Sequence, residues 1–150
     1  MEDNGTLIEF LQERKRTAQE GTVDRTAVVA EWVQDLEGLM TKIIAWLEEA
    51  RKEELVIIDK DTELLSEDSL GSYTVPKLTL DFQNVVVEIV PAFRLTVGAQ
   101  GRVDFICGAR KALLLRPSQG NWSFAGYPDK LKTVPLDEEV FHAAIRNLLA

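Results

Sequence analysis

Leu78-Thr79-Leu80-Asp81-Phe82-Gln83-Asn84-Val85-Val86-Val87-Glu88-Ile89-Val90 holds two apolar runs separated by two polar residues. In the first run Leu78, Leu80 and Phe82 alternate with Thr79 and Asp81, the period of a strand with one buried face. The second is apolar on both faces except at Glu88, as in a strand at the centre of a sheet. Strands joined this tightly run antiparallel, because a parallel neighbour needs a long crossover.

The same texture continues downstream. Pro91 breaks or bulges the ladder. Phe93, Leu95 and Val97 alternate with Arg94 and Thr96, and Gly98-Ala99-Gln100-Gly101 has the composition of a hairpin loop. Val103, Phe105 and Cys107 alternate with Arg102 and Asp104 before a strand near Lys111–Arg116. Ser118-Gln119-Gly120-Asn121 then turns into Trp122–Ala125. These signals predict an antiparallel meander of five or six strands over residues 73–126.

Helical patterns flank the sheet. In residues 1–54 two helices are expected. Thr6 and Glu9 have capping-box spacing, Leu7, Phe10 and Leu11 form a short apolar face, and Gly21 supplies a stop. A second, long amphipathic helix runs from about Asp24 to Lys52. There Val29, Leu36, Ile43 and Ala50 recur every seven residues, and Trp32, Leu39 and Trp46 follow the first three by three places. At 1.5 Å per residue this helix would span roughly 43 Å. That length sets self-association through Val29, Trp32, Leu36, Leu39, Ile43 and Trp46 beside packing within one chain.

Leu55–Ile58 reads as a short strand or a frayed helix end, and residues 59–72 as a polar surface linker. After a loop with Pro128 and Pro135, Phe141, Ala144, Ile145 and Leu148 form the stripe of a C-terminal helix over 136–149, packed on one face of the sheet. The fold class expected is α+β, in a single domain over residues 1–150.

The net charge of −8 is unevenly placed. Residues 1–72 carry 18 acidic and 8 basic side chains; residues 73–150 carry 7 and 9. The acidity therefore belongs to the first half, which repels nucleic acid at long range. No apolar run reaches the roughly 18 residues of a membrane span, and the acidic start lacks the basic lead of a secretory signal. A single cysteine, Cys107, cannot close an internal disulfide, so a cytoplasmic location is expected.

The familiar catalytic and cofactor motifs are missing, and no cofactor is expected. One Cys and one His fall short of a typical zinc set, and no metal site is expected. His142 lies off the Phe141–Leu148 stripe and reads as a surface residue with Glu138 in helical reach. Asp59-Lys60-Asp61-Thr62-Glu63 begins like a calcium loop but has Leu64 where glycine belongs and Leu70 where the bidentate glutamate belongs. Neither phosphate-loop spacing occurs.

Two constellations remain. Asp81, Glu88 and Asp104 could assemble a carboxylate-based enzyme site on the sheet. Arg94, Arg102, Arg110, Lys111 and Arg116, with Trp122 nearby, could form a basic and aromatic stripe for single-stranded nucleic acid or an acidic peptide; the opposing reading is local pairing with Asp81, Glu88 and Asp104. The function expected is a non-catalytic protein-binding or regulatory module acting through the long helix or a sheet face. Its partner would be another protein or a second copy of itself, with an enzyme or a nucleic-acid binder as alternatives.

Overall fold

The computed structural model describes residues 4–67, 70–93, 101–116, 121–125 and 133–150, with side chains for all of these except residues 4–6, 16–25 and 93. Arg94, Leu95 and Val97 of an expected strand, residues 98–100 and 118–120 of the expected turns, and Pro128 lie outside the described residues.

The chain is mixed α+β. Among the described residues three helices, α1 (Asn4–Trp46), α2 (Glu48–Lys52) and α3 (Glu138–Leu149), accompany seven strands. These are β1 (Ile57–Glu67), β2 (Gly71–Phe82), β3 (Val85–Phe93), β4 (Arg102–Cys107), β5 (Arg110–Leu115), β6 (Ser123–Ala125) and β7 (Thr133–Pro135). All lie in one sheet in sequence order, each antiparallel to the next. The meander expected from the alternating runs is present, with one or two strands more than the pattern announced.

The β2–β3 connection is the tight turn that the opening stretch implies. Phe82 faces Val85 across it, and Gln83 and Asn84 both adopt positive φ, 55° and 78°. Two successive left-handed residues give a turn whose twist matches the flanking strands. Asp81 Oδ1 accepts from the Asn84 amide at 2.8 Å and holds it there.

Three expectations need correction. The first is the helix break at Gly21: α1 runs unbroken for 43 residues, about 65 Å. One glycine inside a helix costs only about 1 kcal/mol, too little to end it without a partner for a stop. The helix breaks instead at Leu47, which joins α1 to the single-turn α2.

The second is the polar linker over 59–72. Those residues are mostly strand: β1 pairs with β2 from Ile57↔Asp81 to Glu67↔Gly71. An edge strand exposed on both sides shows no alternation, so its ladder is invisible in the side-chain pattern. Gly71, at φ +79°, starts β2 in a conformation open to glycine. The third is the Pro135 loop, which contributes β7.

The core lies between one sheet face and the helices α1 and α3. Trp32, Leu36, Leu39, Met40 and Ile43 of α1 pack with Leu78, Leu80, Val87, Ile89, Val103, Phe105 and Leu114, all essentially without exposure. Phe105 meets Phe124 and Phe141 edge-on at 5.2 and 6.2 Å, and Trp46 closes on Phe141 at 5.6 Å. The C-terminal helix behaves as its stripe predicts, burying Phe141, Ala144, Ile145 and Leu148. Asp137 caps it, its side chain accepting from the Val140 amide at 2.8 Å.

Candidate functional site

The basic stripe does not assemble on one face. Arg116 is buried at 7% exposure, its guanidinium 5.1 Å from the centre of the Trp32 ring and donating to Asp35, with Glu31 at 3.8 Å. Trp122 also meets Trp32, with ring centres 5.9 Å apart and planes tilted by 34°. Arg110 turns toward α3 and donates to the Asn147 carbonyl at 2.9 Å.

Arg102 and Lys111 lie on the sheet face away from the helices and close on Asp104, which is 6% exposed. Arg102 Nε sits 2.9 Å from Asp104 Oδ1 as an ion pair, without the alignment of a hydrogen bond, while its Nη2 donates to Oδ2 at 3.2 Å. Lys111 Nζ reaches the same Oδ2 at 3.2 Å. Four of the five cations are thus drawn into three separate internal contacts; Arg94 lies outside the described residues.

The carboxylates disperse as well. Asp81 caps the β2–β3 turn, Glu88 stands exposed opposite Thr79, and Asp104 is held by its two cations. None lines any of three clefts among the described residues, of about 430, 400 and 290 Å³. Among those residues no three His, Cys, Asp or Glu side chains are grouped to hold a metal ion.

His142 is not simply on the surface. Its Nε2 lies 3.1 Å from the Trp46 carbonyl, at the end of α1, and the ring lines a cleft of about 430 Å³ with Leu47, Glu139, Ile145 and Arg146. A carbonyl only accepts, which assigns the hydrogen to Nε2. The contact ties α3 to the point where α1 breaks; among the described residues no Ser, Thr or Cys lines that cleft, and Glu139 is its only carboxylate. Cys107 is half-buried against the core, in line with its alternation.

The surfaces left open are elsewhere. Of the self-association stripe, Trp32, Leu36, Leu39 and Ile43 are buried against the chain's own sheet, with Val29 and Trp46 half-buried. Every described side chain from Leu7 to Ala27, in contrast, is exposed. Leu7, Ile8, Phe10 and Leu11 each expose more than half of their surface. At 100° per residue the four spread over about 160° of the helix circumference. No match was found: no family model fits the chain, no curated protein matches its sequence, and no solved structure matches its fold.

Leu7, Phe10 and Leu11 stood out in the sequence as an apolar face, but nothing there told a stripe covered by the chain's own sheet from one left bare. The second open surface, the outer edge of β1, was hidden because its residues resembled a linker. Among the described residues no helix is long and apolar enough to cross a membrane.

Proposed function

We propose that this protein is a non-catalytic, cytoplasmic protein-binding module that docks the amino-terminal arm of α1, residues 7–15, into an apolar groove of a partner protein. One observation carries the reading: four large apolar side chains, each more than half exposed, sit within two turns of a helix clear of the sheet. Apolar anchors at i, i+3 and i+4 are what a groove reads from a helix, here Leu7, Phe10 and Leu11, with Ile8 beside them. Clustered exposed apolar surface of this kind marks interaction sites.

The width of the arc argues for a groove over a second copy of the arm. Two such helices side by side cover one narrow seam each and fall short of the roughly 1,200 Å² of a specific interface. A groove covers both flanks at once. Arg102 and Lys111 close on Asp104, Arg116 on Asp35 and Arg110 on a backbone carbonyl, which breaks up the basic stripe on which a nucleic-acid reading depends. The lone Cys107 suits a reducing compartment.

The test places a photo-crosslinking side chain at Phe10 in the full-length protein, expressed in its native cells, with Glu49 as the control position. A single heteromeric adduct is expected from position 10 and none from position 49. Leu7→Gln with Leu11→Gln should abolish it, and the partner recovered from it should slow amide exchange across residues 7–15. An adduct of two copies of the chain, or no adduct at all, would overturn the groove reading.

A further inference from the structure

A second surface has a chemistry of its own. Among the described residues β1 is an end strand of the sheet, paired with β2 alone, and eleven residues long. Its two faces differ. Lys60 reaches Glu37 of α1 at 2.5 Å, so Ile58, Lys60, Thr62 and Leu64 form the helix-side row. The opposite row reads Ile57, Asp59, Asp61, Glu63, Leu65, and Glu63 meets Lys77 there at 2.9 Å. Three acids in register therefore lie between Ile57, 63% exposed, and Leu65, half-buried against the core.

The backbone groups that face outward can be assigned. Thr62 stands opposite Pro76, which has no N–H to give, so this is a non-hydrogen-bonded pair of the β1–β2 ladder. Thr62 and its alternates Ile58, Lys60 and Leu64 consequently turn their N–H and C=O groups to the free edge. The Thr62 amide bears this out, donating 2.8 Å to the side chain of Asp61 rather than to β2.

A second copy of β1 does not suit this edge. Two antiparallel edge strands related by a two-fold axis bring residues of the same sheet face opposite one another. Every register centred from residue 59 to residue 63 then sets an acid of the row Asp59, Asp61, Glu63 against another acid. Like charges directly opposite are destabilising.

We propose that the outer edge of β1 accepts, by strand addition, an extended segment of a partner protein with Lys or Arg at alternate positions and apolar residues at its ends. The outward N–H and C=O groups of the even residues supply the ladder, the Thr62 amide exchanging its Asp61 side-chain acceptor for an incoming carbonyl, and Asp59, Asp61 and Glu63 select the side chains. This site is separate from the helical arm and does not depend on it.

The test uses full-length protein and two synthetic peptides of about nine residues, the length a strand addition engages. One has Lys at every second position between terminal Val residues; the other has the same composition with its Lys residues in one block. At low salt the alternating peptide should bind about tenfold tighter than the block peptide, shift the amide resonances of Ile58, Lys60, Thr62 and Leu64, and weaken steeply as salt is added. Thr62→Pro removes an outward donor that β2 does not use and should reduce binding at least about tenfold while the protein stays folded. Asp59→Asn with Asp61→Asn should flatten the salt dependence, and Phe10→Gln should change nothing. Equal affinity for both peptides, unchanged binding in Thr62→Pro, or no binding to either peptide would overturn the proposal; the acids would then serve to guard the edge.

Discussion

The two ends of α1 belong to one continuous helix and meet opposite fates. From Trp32 to Leu47 the stripe is sealed against the sheet, with Trp32, Leu36, Met40 and Ile43 at zero exposure. From Leu7 to Leu11 an equally apolar cluster stays more than half exposed. Periodicity does not separate them, because Ile8 and Leu11 fall on the same heptad positions as Val29 and Trp32. The difference is what the fold brings opposite each half: Leu78, Leu80 and Phe105 at one end, and no described side chain at the other. A helix pattern states a demand for cover, and only the tertiary fold says whether the chain meets it.

That contrast can be broken or sharpened by substitution. The largest effect should come from Trp32→Ala, which empties the centre of the α1–sheet contact and removes the ring under Arg116. A loss of about 3–5 kcal/mol is expected in denaturant unfolding; a loss under about 1 kcal/mol would deny that this half of the helix anchors the fold.

Next comes Gly101→Ala. A Cβ there would sit 2.4 Å from Trp32 Cζ3, so the ring or the β4 backbone must move. Destabilisation of about 1–3 kcal/mol is expected, and less in a Trp32→Ala background, where the space is vacant. Additive effects in that double-mutant cycle would break the link between the two residues.

Arg116→Met tests the polar side of the same junction. Asp35 and Glu31 remain partly solvated without it, so the loss should stay near 1–2 kcal/mol rather than the larger figure for a fully buried pair. Asp137→Ala removes the α3 cap and should cost about 1 kcal/mol, with the sheet unchanged by circular dichroism.

The smallest effect is expected in the arm. Phe10→Gln with Leu11→Gln should shift unfolding by no more than about 0.5 kcal/mol, because neither side chain is buried by this chain. A loss above about 1 kcal/mol would show that the arm is covered in solution, and would erase the difference between the halves.

Much of the fold could be read in advance, and the reasons are local. Leu78, Leu80 and Phe82 show a half-buried strand, Asp137 and the Phe141–Leu148 stripe show a capped helix, and the short connections force antiparallel order. β1 escaped because an edge strand with charge on both faces has no alternation to show. The continuity of α1 escaped because Gly21 looks the same in a helix as at its end. The candidate basic site was least legible. Arg102, Lys111 and Arg116 are neighbouring cations in the sequence, but where each guanidinium or ammonium points depends on Asp104 and Asp35, the latter 81 residues away from Arg116.

The sequence by itself determined the α+β class, the antiparallel order of the central strands, the C-terminal helix and the acidity of the first half, because each follows from short-range spacing or from counting. The tertiary structure alone decided which apolar stripe is core and which is bare, which cations are neutralised, and which strand is left with an open edge. Those outcomes depend on contacts between residues far apart in the chain, where the cover for one segment is supplied by another.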